Sequence, residues 1–345
     1  MMKKLCRYGT HRVIEPKGIL PQAAFKIDST PVCYDNECLI EVNTLNIDSA
    51  SFHQIKEACH QDTELMKEMI LGIVKKQGKM QNPVTKSGGM LIGTVKEVGK
   101  DFSGKDLKPG VKLATLVSLS LTPLHIEEIT SINITNEQVK IKGQAVLFDS
   151  GIYAVIPDDL DEKFVLAALD VAGAPAQVRK LAKPGDTVFI IGANGKSGLL
   201  CALEAKNQVG PTGTVIGLIR KQKQIEQLES LHLFDSIIVE SATNSIEVYE
   251  KLSLVTNGKL ADLTINVVNT ENTEMTSILC TKELGIVYFF SMATSFTKAA
   301  LGAEGIGKDI TMIIGNGYTK NHANITLDIL KENKQLFDLF MSRYA

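Results

Sequence analysis

The residues whose type and spacing most clearly suit chemistry are the glycines of "GANGKSG", Gly192, Gly195 and Gly198. They follow the apolar run "TVFII" and open a segment of helical pattern, so the motif sits at a strand-to-helix turn. Glycines at such a turn let the backbone approach a pyrophosphate, whose charge then faces the amide groups of a helix N-terminus. Ala193, Asn194, Lys196 and Ser197 complete the turn and join the glycines as candidate dinucleotide contacts. A tight turn without a ligand is the competing reading. In such a unit the second strand ends on Asp or Glu when the ribose of NAD is bound. Here "VIGLIRKQK" puts Ile219 in that place, followed by Arg220, Lys221 and Lys223. Cations without an acid suit a 2′-phosphate, which favours NADP, with NAD also usable. A solvated basic turn competes.

Ligands of open parallel sheets bind beyond the carboxyl ends of the strands. Asn266, ending "LTIN", and Ser291 and Met292, after "GIVYFF", are therefore expected beside a nicotinamide. Tyr318 in "GNGY" is a candidate to reach a substrate, against a plain packing role. His53, Glu57, Cys59 and His60 share a helical stretch but match no strong metal spacing, and read as a solvated face.

The elements that must position these residues change character near residue 160. Before it, short alternating runs such as "ECLIEVNTLNI" (37–47) and "GTVKEVG" (93–99) predict a mostly antiparallel β-domain, broken by one helical insert over 49–79. After it, a capped helical segment (156–185) leads into strands at 187–192, 214–219, 236–240, 260–268 and 285–292, with helices between them. Continuous apolar strands separated by helices predict a parallel sheet covered on both faces. An amphipathic helix is expected over 325–345. The formal net charge of −2 gives no electrostatic reason to expect nucleic acid or an anionic membrane as partner. No apolar run approaches the roughly 18–20 residues of a membrane span, and the N-terminal stretch lacks the apolar core of a signal peptide. Six scattered cysteines without a Cys-x-x-Cys are expected to be free thiols in a reducing cytoplasm.

The β-rich first part, the run "GGMLIGTVKEVG", then "LKPGVKL" and "GANGKSG", resembles the medium-chain dehydrogenase/reductase superfamily over nearly the whole chain. The resemblance implies an α/β architecture: a GroES-like domain over 1–160, with 318–345 packing back on it, and a Rossmann doubly wound parallel sheet over 161–317. Within that group, "YGTHRVIEPKGILPQ" (8–22), "LNIDSASFHQI" (45–55), "QNPVTKSGGM" (81–90) and "ALDVAGAPAQV" (168–178) are similar to the L-erythro-3,5-diaminohexanoate dehydrogenases of bacterial lysine fermentation. That resemblance implies oxidative deamination of a diamino acid at C3, with hydride passing to NAD(P). It also implies a homodimer, with strand edges at "GIVYFFSM" or "DITMIIGN" as candidate contacts and a tetramer left open.

In zinc members of the superfamily, a Cys, a His–Glu pair and a third ligand serve the metal. The corresponding positions here fall near Ile47 or Asp48, on Gly89 and Met90, and near Val171. Ile, Gly, Met and Val do not ligate zinc, so no catalytic zinc is expected, and Gly89 and Met90 are read as leaving room where its shell would be. An amine substrate needs a base for its ammonium and countercharges for its second ammonium and its carboxylate. Asp48 and Asp170 lie beside former metal positions and are the candidate carboxylates, either as base or as ammonium ligand; a helix cap competes for Asp48 and a structural hydrogen bond for Asp170. Asn46 and Ser49 are candidates to bond the amine or the ribose, and His11 and Arg12 to meet the substrate carboxylate. Two readings remain beside the amine dehydrogenase: a zinc-independent carbonyl, enoyl or quinone reductase, and a nucleotide-binding protein without turnover.

Overall fold

The structure is a computed structural model that describes residues 5–157, 160–291, 293–315 and 317–344. The chain divides into two compact units, Met1–Leu160 and Asp161–Ala345.

The first unit holds β1 (Val13–Glu15), β2 (Lys26–Ile27), β3 (Glu37–Asn46), α1 (Ser49–Ala58), α2 (Thr63–Gln77), β4 (Met90–Val98), β5 (Lys112–Thr115), β6 (Leu124–Asn133), β7 (Gln138–Phe148) and β8 (Tyr153–Val155). Six of these strands form an antiparallel sheet in the order β6-β7-β3-β4-β5-β8. Side chains from its inner face, including Ile40, Leu45, Leu91 and Val139, join Phe52, Ile55, Met66 and Ile70 of the helices in one buried core. The expected single helix over 49–79 is two helices. His60 and Gln61 take left-handed backbone angles, and the Asp62 carboxylate caps α2 by accepting from the N–H groups of Glu64 and Leu65. A cap and two left-handed residues end one helix and start the next.

The second unit holds α3 (Glu162–Leu169), α4 (Gly173–Leu181), β9 (Thr187–Ile191), α5 (Lys196–Val209), β10 (Thr214–Ile219), α6 (Ile225–Ser230), β11 (Ser236–Val239), α7 (Ser245–Val255), β12 (Ala261–Asn266), α8 (Glu274–Cys280), β13 (Thr281–Phe289), α9 (Phe296–Ile306), β14 (Thr311–Ile314), α10 (His322–Glu332) and α11 (Lys334–Tyr344). Its sheet runs β11-β10-β9-β12-β13-β14, parallel throughout. Counted within the unit this is 3-2-1-4-5-6, the order of dinucleotide-binding sheets, with its switch point between β9 and β12. Val188, Phe189, Ile190 and Ile191 are all buried, as a strand covered on both faces requires. The fold is thus a β-rich domain followed by a Rossmann domain. Where one terminal helix was expected there are two, broken at Asn333, and within the second unit they pack on α3, α4 and α5. Phe164 of α3 stacks 4.5 Å from Phe337 and 6.5 Å from Phe340, which supplies the apolar reason.

Arg12 and His11 are placed far from their expected role. Arg12 is buried and donates to both oxygens of the buried Glu37 (2.7 and 2.6 Å) and to the carbonyls of Asp28, Thr30 and Val32. His11 Nε2 sits 2.7 Å from the same carboxylate. Both are already committed to Glu37, so neither meets a substrate carboxylate. Burial works to raise the Glu37 carboxyl pKa, but hydrogen bonds from Arg12 and His11 outweigh it and hold it below the usual value. A depressed carboxyl adds stability above its unfolded pKa, and that stability is lost as pH falls through the folded one. Glu37→Ala is expected to cost roughly 3–5 kcal/mol, since it strands a buried guanidinium. Urea titrations from pH 7 down to about 3 check this: the wild type should lose stability with acid and Glu37→Gln should lose less of it.

Candidate active site

The nucleotide turn is built as its chemistry requires. Gly192 follows β9 with φ +93°, and a Cβ there would stand 3.0 Å from Val268 N, across the switch point. A Cβ at Gly198 would lie 2.3 Å from Gly192 O, so only glycine lets α5 start this close to the strand. A Cβ at Gly195 would meet nothing nearer than 3.5 Å, and no side chain caps α5. The first amides of α5 thus have no side-chain partner at the positive end of a helix, and the residues present fit the pyrophosphate of a dinucleotide. Ala193 is buried, with its N–H on Leu218 O (3.1 Å), and Ser197 follows in the first turn. Arg220, Lys221 and Lys223 are exposed beyond β10, and no ion pair engages them among the described residues. The acid that ends the next strand, Glu240, is held by Lys251 (2.7 Å), Ser241 N and Asn244; these bonds bring its pKa down to about 2.

Two candidates of this unit take other work. Asn266 is buried, and its amide donates to Thr273 Oγ1 (2.8 Å) and Ser277 Oγ (2.9 Å), while Oδ1 accepts from Val268 N (3.3 Å). Its side chain shapes the exit of β12 and is not available to a nicotinamide. Asp170 ends α3 and pairs with Lys196 Nζ at 2.7 Å. It is a salt-bridge partner of the glycine turn rather than an unengaged base. Ser291 donates its N–H to Asn266 O (3.3 Å) and remains half-buried, and the buried Glu274 carboxylate fixes the same loop through Ser295 N (2.6 Å). Met292 lies outside the described residues. Tyr318 is exposed, with its ring edge-on to His322 at 5.3 Å.

In the first unit the geometry centres on Gly89. Its φ is +101°, and a Cβ there would lie 2.1 Å from Asn46 O, 2.7 Å from Asp48 N and 2.8 Å from Ile47 Cα. Gly89 therefore does not leave room for anything. The backbone of 46–48 fills that space, and a histidine could not stand there. Beyond this contact Asp48 caps α1, its Oδ1 accepting from Ser51 N (3.0 Å). Its Oδ2 is buried and has no hydrogen-bond partner in the protein. The partial positive charge at the α1 N-terminus favours the negative charge of the carboxylate at this point. Asn46 ends β3 between Met90 and Gln138, with no side-chain hydrogen bond among the described residues. Ser49 is already committed: its hydroxyl donates to Glu137 Oε2 at 2.5 Å.

A polar cluster that sequence reasoning missed adjoins Asp48. Ser51 Oγ lies 2.6 Å from Thr85 Oγ1 and 2.9 Å from Ser87 Oγ, and Asn82 Nδ2 donates to Ser51 O (3.3 Å) and Gln54 Oε1 (2.8 Å). These bonds hold the loop 82–88 to the first turns of α1. Lys86 stands between the two hydroxyls, exposed and with a left-handed backbone (φ 62°). Only "NPVTKSGG", a polar run between two elements, signalled this loop. Among the described residues no group of three or more His, Cys, Asp or Glu gathers as a metal site, and His53 pairs instead with Glu57 (3.0 Å). Gly89→Ala is expected to destabilise the protein by roughly 2–4 kcal/mol, from left-handed strain and displacement of the 46–48 backbone. A lowered urea midpoint checks it; an unchanged one contradicts the close approach.

A family model described as the L-erythro-3,5-diaminohexanoate dehydrogenase N-terminal domain matches residues 11–157. The chain is 58% identical over 342 residues to the L-erythro-3,5-diaminohexanoate dehydrogenase of Acetoanaerobium sticklandii, covering 99% of each. It is 57% identical over 344 residues to the enzyme of that name from Fusobacterium nucleatum subsp. nucleatum, covering 99% of this chain and 100% of the other. Among solved structures it is similar to an alcohol dehydrogenase from Thermotoga maritima, with a TM-score of 0.55, 16% identity, and 90% of this chain and 86% of that one covered. That likeness carries the fold alone, a β-rich domain followed by a Rossmann domain. Identity at this level over nearly every residue carries more than the fold, and the chain belongs to the L-erythro-3,5-diaminohexanoate dehydrogenase family.

Proposed function

We propose that this protein oxidatively deaminates L-erythro-3,5-diaminohexanoate to 5-amino-3-oxohexanoate and ammonia with NAD(P), as a step of bacterial lysine fermentation. The observation that carries the reading is the near-full-length identity to two dehydrogenases of that name. The geometry supports an assignment of roles to particular atoms. An alkyl ammonium with a pKa near that of lysine, about 10.4, must lose a proton before its carbon can release hydride, which at pH 7 costs roughly 4–5 kcal/mol. Asp48 Oδ2, buried and without a protein partner, receives an ammonium group of the substrate. Lys86, on the loop held to the same helix, supplies the cation for the substrate carboxylate that His11 and Arg12 cannot supply. The Ser51, Thr85 and Ser87 hydroxyls position the loop and exchange hydrogen bonds with polar substrate groups.

Gly192–Gly198 would hold the cofactor pyrophosphate, and Arg220, Lys221 and Lys223 would favour NADP over NAD by pairing with a 2′-phosphate. A nicotinamide bound there would supply the acceptor for the hydride leaving C3. The resulting substrate iminium then takes up water and releases ammonium, so the ketone, reduced cofactor and one proton balance the reaction. Ile47, Gly89, Met90 and Val171 offer no zinc ligand, so the reaction is read as zinc-independent. We read the protein as cytoplasmic, a reading that its free thiols support; no helix among the described residues is long and apolar enough to cross a membrane. A homodimer is proposed through β14, the edge of its sheet, beside the exposed Leu284, Phe296, Leu301 and Ile314.

Steady-state assays with 3,5-diaminohexanoate should give a kcat/KM that rises with pH toward about 10, following deprotonation of the amine. Asp48→Asn keeps a capping side chain but loses the charge, and should lower kcat/KM about 30-fold or more at unchanged stability. NADPH oxidation by a ketone or an enoyl acceptor without any ammonium requirement would overturn the amine reading.

A further inference from the structure

The last helix reaches the nucleotide turn. Arg343 donates from one terminal nitrogen to Asn194 O (3.1 Å), and from the other to Asn194 Oδ1 (3.2 Å) and Gln227 Oε1 (2.5 Å). Its neighbour Tyr344 places its ring 5.8 Å from Lys196 Nζ. Asn194 and Lys196 flank Gly195, so consecutive residues of α11 engage both sides of the turn. Gln227 lies on α6, the helix that follows the cations after β10. Arg343 therefore joins the two segments that, by the rule for such sheets, flank the pyrophosphate and the adenosine ribose. The helix that carries it is anchored by the buried Phe340, packed against Tyr344 at 5.2 Å and Phe164 at 6.5 Å.

The charges point the same way. A helix N-terminus carries partial positive charge and disfavours cations. Here Lys196 occupies the first turn of α5, and Arg343 is bonded to Asn194, two residues before it. One carboxylate, Asp170, answers Lys196. Among the described residues, the three acceptors of Arg343 are neutral amide oxygens. The surplus of positive charge at this turn suits a dianionic ligand.

We propose that Arg343 is a cofactor-positioning residue: it holds Asn194 and ties the glycine turn to α6, so that the turn is already shaped for a dinucleotide pyrophosphate. The proposal rests on the cofactor part of the reading above and is independent of the substrate.

The test is direct binding, read from the fluorescence of NADPH and NADH themselves, which is convenient in a chain with no tryptophan. Arg343→Gln should raise the Kd of both about tenfold or more, because charge-assisted bonds to the turn are lost and the pyrophosphate is common to both. At saturating cofactor its kcat should stay near that of the wild type, while KM for the cofactor follows Kd. Arg343→Lys should recover part of the affinity, since it restores the charge without the planar fork. Gln227→Leu, which removes only the acceptor on α6, should raise both Kd values by a smaller factor and decides the matter if Arg343→Gln fails to fold. Unchanged Kd in a folded Arg343→Gln, or a fall in kcat with Kd unchanged, overturns the proposal. A wild type that binds NADPH but does not turn over the diamino acid overturns the substrate reading alone; a wild type that binds neither nucleotide overturns both.

Discussion

The backbone from Asn46 to Asp48 passes through the space that a side chain on residue 89 would fill. That approach fixes where β3 ends against β4 and where α1 begins. Because α1 begins at Ser49, Asp48 is its cap, with one oxygen on Ser51 N–H and the other without a protein partner. Because Ser51 lies in the first turn, its hydroxyl and carbonyl hold the loop that carries Thr85, Lys86 and Ser87. One missing Cβ thus brings a carboxylate, three hydroxyls and a lysine to one helix start. A zinc site would require the reverse, a histidine at 89 and the strand displaced.

The second unit solves a different electrostatic problem with the same device. Gly198 allows α5 to begin against Gly192, which presents a helix N-terminus beyond the strand. Lys196 and Arg343 add cations there, and Asp170 moderates one of them. The terminal helix belongs to this arrangement because Phe337 and Phe340 pack on Phe164 of α3. Apolar packing of three rings therefore decides where a guanidinium stands relative to the nucleotide turn.

Much of this was legible in the sequence, and the limits are physical. The parallel sheet followed from continuous apolar strands with helices between them, and the glycine turn from its place after "TVFII". The cap at Asp48 was legible as a competing reading, because Asp before "SASF" has the form of a helix start. The break between α1 and α2 was missed, since left-handed His60 and Gln61 carry no strong turn signal. Arg12 and His11 were misplaced because charge near a chain terminus reads as surface or ligand, and only the fold brings Glu37 to them from β3. Asn266 was misassigned for the same reason: its partners, Thr273 and Ser277, lie on the next turn and helix. Gly89 was identified as the decisive position but given the wrong physical role. A glycine in a sequence does not say whether its space is left empty or filled by backbone.

On the proposed reading, a carboxylate and a polar loop serve an amine substrate without a metal. The most direct measurement is the rate of 3,5-diaminohexanoate oxidation by protein stripped with a chelator and verified free of transition metals. The account predicts the full rate in the stripped enzyme and no gain from added zinc. A rate abolished by chelation and restored by zinc would contradict it.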